Sequence, residues 1–128
     1  MQMTLDLNAT DLGTTPAGVR NEVSLQGAAT SSHWPGDWPV TGIDHLVVGT
    51  DGIARLDVHG VVGTGSDVFA YRGTGRAGSD GIVEGIVFET ASEQLSWLNG
   101  AVAIGVGTLR DGALVIDVFQ VSRAASQS

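Results

Sequence analysis

The chain has 128 residues, six arginines, no lysine and fourteen acids, which leaves a formal net charge of −8 and a pI near 4.4. That length suits one domain with a core of ordinary size, and that charge repels phosphate backbones and anionic lipid surfaces, so neither nucleic acid nor membrane is an expected partner. With no cysteine, disulfides, thiol nucleophiles and cysteinyl metal sites are excluded together.

Taken in chain order, alternation of apolar and polar residues predicts strands over Met3–Leu7, Val19–Gln26, Ile43–Gly49, Ala54–Val62, Val68–Tyr71, Ile82–Glu89, Val102–Leu109 and Ala113–Val121. Nineteen glycines punctuate them. Asp51-Gly52 and Asp111-Gly112 are residue pairs that supply the positive φ values of two-residue hairpin loops. Thr90-Ala91-Ser92-Glu93 has the form of a capping box, and Leu95, Trp97 and Leu98 follow before Asn99-Gly100, which predicts one short helix over Ser92–Leu98. Residues 1–121 read as a single domain and 122–128, SRAASQS, as a disordered tail. About eight antiparallel strands with one helix make an all-β domain. Closure into a barrel hides the strand edges and leaves room for one small ligand; an open sandwich is the alternative. No basic, apolar leader opens the chain and no apolar run approaches the roughly 20 residues of a membrane span, so a cytoplasmic location is expected.

The stretch TGIDHLVVGTDGIARLDVHG, residues 41–60, concentrates the functional question. A two-residue turn at Asp51-Gly52 pairs position 48 with 55, 46 with 57 and 44 with 59. Asp44, Leu46, Val48, Arg55, Asp57 and His59 then share one face, and His45, Val47, Ala54, Leu56 and Val58 the other. Asp44 would stand opposite His59. A carboxylate beside an imidazole raises the imidazole pKa and holds its tautomer, as an acid–base pair requires. The plainer reading is a solvated hairpin face with weak ion pairs.

His45 and His59 fall on opposite predicted faces and His33 in a loop, so no metal is expected. Gly73-Thr74-Gly75-Arg76-Ala77-Gly78 fits G-x-G-x-x-G but leads into a strand, and a dinucleotide site needs a helix there. No serine sits in an elbow motif. Trp34 and Trp38, with His33 beside them and Pro35 and Pro39 stiffening the segment, suit a loop closing over an apolar ligand; the plainer role is packing across a barrel end. Tyr71, the only tyrosine, could donate a proton to a carbonyl or be a simple wall residue. Trp97 is expected to anchor its helix in the core.

These residues resemble a family, domain of unknown function 3237 (the UPF0311 proteins). Gly42-Ile43-Asp44, Asp51-Gly52 and Leu56-Asp57-Val58 match its GGxDW…PDGxxxLDxR stretch, Gly18-Val19-Arg20 its G-x-R, and Phe88-Glu89-Thr90 with Trp97-Leu98-Asn99 its FETG…YxWLN. His45 stands where the family has tryptophan, His59 where it often has arginine, and Val83 and Ile86 where it has arginine and proline. The resemblance implies a compact lipocalin-like (calycin-like) barrel, often oligomeric, with no generally established activity. It adds Glu89 and Arg20 to the ligand-binding candidates and favours the mixed face pointing inward. His45, Val47, Leu56 and Val58 would then form an apolar outer stripe, and a homodimer or larger homo-oligomer is expected.

The expectation is a small cofactor-independent enzyme of isomerase, cyclase or lyase type, using acid–base chemistry on a small hydrophobic or polyketide-like molecule. Asp44 and His59 would be the acid–base pair, Asp57 and Tyr71 their support, and Trp34, Trp38, His33, Glu89 and Arg20 the ligand-binding groups. A non-catalytic binding protein for the same ligand is the alternative, and a purely structural subunit a third.

Overall fold

The computed structural model describes residues 1–122; the predicted tail beyond Ser122 lies outside them. Eight strands run as β1 (Gln2–Thr15), β2 (Gly18–Ser31), β3 (Trp34–Val48), β4 (Ala54–Thr64), β5 (Asp67–Gly78), β6 (Gly81–Glu89), β7 (Val102–Arg110) and β8 (Ala113–Val121), with a 3-10 helix, Ser96–Gly100, between β6 and β7. Each strand pairs antiparallel with its chain neighbour, and β1 returns to β8 through Gln2–Leu5, so the sheet closes into a ring. Among the described residues no helix is long and apolar enough to cross a membrane.

All eight predicted strands are present, and several extend further than the alternation shows. β1 continues from Leu7 to Thr15 through small and polar residues and one exposed leucine, Leu12, paired with β2 as far as Gly18. Both faces of this arm are exposed, so no apolar periodicity marks it. β3 begins at Trp34: the segment expected to be a closing loop is strand, paired with Ser31 and Ala29 of β2. Its aromatic residues still share a face, because Trp34 and Trp38 are an even number of positions apart.

The loops divide. At Asp111-Gly112 both residues have positive φ and Arg110 pairs with Ala113, the expected two-residue turn. The short helix predicted over Ser92–Leu98 forms only in part, as the 3-10 helix Ser96–Gly100. Thr90 accepts from Ser92 N at 3.1 Å, as a capping residue would, but the bond closes only a local turn, and its hydroxyl also donates to Val68 O at 2.7 Å, which ties the segment to β5. Asn99 completes the arrangement, accepting from Thr90 N and donating to Thr90 O as a neighbouring strand would. Leu95 and Leu98 anchor the 3-10 segment in the core, whereas Trp97 is 39% exposed and lies against the His33 ring.

Inward residues fill the ring. Met3, Leu5, Val40, Val62, Phe69 and Ile86 are its largest fully buried side chains. Phe69→Ala should therefore cost about 3–5 kcal/mol, and Leu109→Ala, at a side chain 70% exposed, less than about 0.5 kcal/mol. Urea unfolding of the two variants against the parent chain measures both.

Candidate functional site

The β3–β4 turn decides which side chains enter the ring. Gly49 N donates to Ile53 O and Gly52 N to Gly49 O, which leaves three residues in the loop. An odd loop shifts the ladder one place from the expected register: Val48 pairs with Ala54, Asp44 with Val58 and Ile43 with His59. A one-residue shift turns one strand's faces over relative to the other. Asp44 is inward and 7% exposed, whereas His59 is on the outside. The expected Asp44–His59 pair does not exist.

Asp57 and His45 also face outward, so the two histidines share a face that the predicted register separated. Asp57 Oδ1 lies 3.3 Å from His59 Nε2 and 3.5 Å from Arg72 Nε, a surface cluster. Leu56 and Val58 point into the core, so the predicted outer stripe with His45 and Val47 is absent. Among the described residues no three His, Asp or Glu side chains converge as a metal site would need.

Inside the ring, Asp44 meets two groups. Tyr71 on β5 and Glu84 on β6 are each 4% exposed and line with Asp44 a chamber of about 20 Å³, room for roughly one water. Its remaining walls are Leu5, Leu25, Leu56, Val58, Ile82, Leu114 and Ile116. Two glycines make the space: the Tyr71 ring lies where a side chain on Gly60 would stand, and the Glu84 carboxyl packs over Gly73. Sequence reading missed Glu84. In GIVEGIVFE both faces of the strand are apolar, so alternation does not say which one carries the glutamate inward. The only signal is its shared parity with Ile82, Ile86 and Phe88, the bulkier set.

Burial dominates the electrostatics here. It pushes Glu84 up to about 7, the nearby Asp44 charge adding to the effect. Asp44 is also raised by burial, but it accepts a hydrogen bond from Asp57 N at 3.0 Å, which favours its anion. Burial, with Glu84 and Asp44 beside it, holds the Tyr71 hydroxyl protonated well above its ordinary value.

A second space opens at the Trp34 end. Trp34, Phe69, Phe88, Trp97 and Leu98 line an apolar pocket of about 180 Å³, with His33, Ser31 and Gln120 supplying polar groups. Trp34 stacks on Trp38 at 4.2 Å and donates its indole N–H to Ala29 O. This pocket and the carboxyl chamber share no lining residue. On β6, Phe88 lines the pocket, Glu84 the chamber, and Ile86 stands between them on the same face. Two expected binding residues lie elsewhere: Glu89 is exposed, opposite Ala70, and Arg20 is exposed on β2, opposite Val47.

The family described as "Protein of unknown function (DUF3237)" matches residues 1–121, and the chain belongs to it. No curated protein matches the chain. Solved structures share its fold: a beta-barrel like protein from Acinetobacter baumannii AYE is 22% identical, with a TM-score of 0.80 over 93% of this chain and 90% of that one. A protein of unknown function from Clostridium acetobutylicum is 15% identical, with a TM-score of 0.82 over 94% and 95%. A protein from Penicillium herquei described as an enzyme is 22% identical, with a TM-score of 0.65 over 91% and 90%.

The chamber has a consequence for stability. Glu84 ionises at 4.5 in the unfolded chain and at about 7 in the folded one. Between those values the folded state holds a proton that the unfolded state has lost, so stability falls as pH rises through this window, by about 3 kcal/mol in all. Asp44, also raised, acts in the same direction. Urea midpoints measured from pH 4.5 to pH 8 should show this fall, and Glu84→Gln should remove most of it. An unchanged slope in the variant would contradict the assignment.

Proposed function

We propose that this chain is a cofactor-independent enzyme that moves protons on a small hydrophobic or polyketide-like molecule admitted at the Trp34 end of the ring. Isomerisation, cyclisation or elimination is the corresponding reaction class. One observation carries the reading: Asp44, Tyr71 and Glu84 share a chamber in an otherwise apolar interior. Ionisable groups are costly there, and perturbed ones cluster at functional sites. The Penicillium herquei protein, described as an enzyme, adds support for chemistry in this fold.

The roles follow from the environments. Glu84, near 7, can take a proton from a carbon beside a carbonyl and return it at another position. Tyr71 keeps its proton and donates a hydrogen bond to the developing oxyanion. Asp44, held by Asp57 N, is the standing negative charge that keeps Glu84 basic. Aromatic rings at the pocket, with the Trp34–Trp38 stack behind them, hold the flat part of the ligand. An apolar cavity of about 150 Å³ is known to bind benzene, so 180 Å³ suits a small ring system. Ile86 gives way as the reactive end of the ligand reaches Glu84.

Binding without chemistry is the second reading, and the intact Ile86 layer between pocket and chamber favours it. A flat aryl ketone, 2-tetralone, separates the two. Its binding is read by tryptophan fluorescence, and its enolisation by exchange of the α-hydrogens for deuterium in NMR. The enzyme reading expects accelerated exchange that Glu84→Gln lowers by ~100-fold or more while fluorescence binding is retained. Binding with no acceleration in the parent chain would establish the carrier.

A further inference from the structure

The outer face of β6, β7 and β8 carries apolar side chains where a solvated sheet carries polar ones. Val83 and Val87 on β6, Val102, Ile104 and Val106 on β7, and Phe119 on β8 are all exposed, Phe119 by 59%. They are neighbours across the ladders: Val83 pairs with Val106, Val87 with Val102, and Ile104 with Phe119. A contiguous patch of this kind on a chain of net charge −8 marks an association surface.

Registers say what covers it. Gly85 is the gap in the patch; a side chain placed there would meet nothing within 4 Å. It stands opposite Ile104, which stands opposite Phe119, so the gap and the most protruding ring lie at one level, one on each side of β7. The charges are arranged likewise. Arg76 on β5 is level with Val83, Val106 and Asp117, so a cation flanks the patch on one side and a carboxylate on the other at the same height.

A two-fold axis running along β7, between two copies packed face to face, lays β8 of each over β6 of the other. Heights along the strands are kept, within the roughly 30° at which stacked sheets pack. Phe119 of each copy then enters the hollow at the other's Gly85, and each Asp117 comes over Val83, beside the other's Arg76. We propose that this face is the self-complementary interface of a homodimer, a ring seated on Gly85 and an Arg76–Asp117 ion pair occurring twice by symmetry.

Sedimentation and light scattering at micromolar concentration test it, with circular dichroism confirming that each variant keeps the parent fold. The parent chain should be a dimer. Phe119→Asp should weaken it at least a hundredfold, and Arg76→Asp at least tenfold. Arg76→Asp combined with Asp117→Arg should recover most of the affinity, because the ion pair is rebuilt with its signs exchanged. The recovery is the specific readout, since general loss of surface fit cannot produce it. A monomeric parent chain, a trimer, a dimer indifferent to Phe119→Asp, or a double variant no better than the single one would each overturn the proposal.

Discussion

The hydrogen bonds from Gly49 N to Ile53 O and from Gly52 N to Gly49 O close a three-residue turn, and the chemistry of the interior depends on that odd number. Asp51 reinforces the turn by accepting from Ile53 N and pairing with Arg55. The register that results sends Asp44 inward and leaves Asp57 and His59 outside. With a two-residue turn, β4 would have been reversed relative to β3, placing Leu56 and Val58 on the face opposite Asp44. Closure of the ring makes such a slip costly, because β4 is committed on its other edge to eleven pairings with β5.

Once inside, Asp44 needs partners that tolerate it. It keeps one strong hydrogen bond, from the Asp57 N–H, and otherwise shares an apolar chamber with Tyr71 and Glu84. Two carboxyl groups in such a space do not both ionise readily, so the proton stays with the less well solvated one. Glu84 is that group. Gly60 and Gly73, on the strands beside them, provide the volume that the tyrosine ring and the glutamate occupy. The same packing that makes the site possible also separates it from the aromatic pocket by the Ile86 side chain.

Much of this was legible in the sequence, with the failures confined to places where local pattern underdetermines geometry. Strand existence follows from alternation wherever one face meets the core, and it disappears along residues 8–14 of β1, exposed on both faces. Asp-Gly predicts a turn at residues 51–52 and at 111–112, but loop length differs between the two and only the second has two residues. That single residue separated Asp44 from His59. The capping-box pattern at Thr90 was real as a hydrogen-bonding site, its hydroxyl accepting from Ser92 N, but the bond closes a local turn and the helical segment starts only at Ser96. Phe88-Glu89-Thr90 and Trp97-Leu98-Asn99, the residues carrying the family resemblance, owe part of their pattern to this join between Thr90 and Asn99. Glu84 was hidden because its strand is apolar on both sides.

A glutamate that keeps its proton near neutrality, inside a ring and beside an aspartate, is the centre of this interior. Carbon-13 NMR of the glutamate side-chain carboxyls, with Glu84 assigned by its loss in Glu84→Gln, observes that proton directly. The account predicts a Glu84 titration midpoint at about 7, moving down when Asp44→Asn removes the neighbouring charge. A midpoint at the ordinary 4.5, indifferent to Asp44, would contradict it.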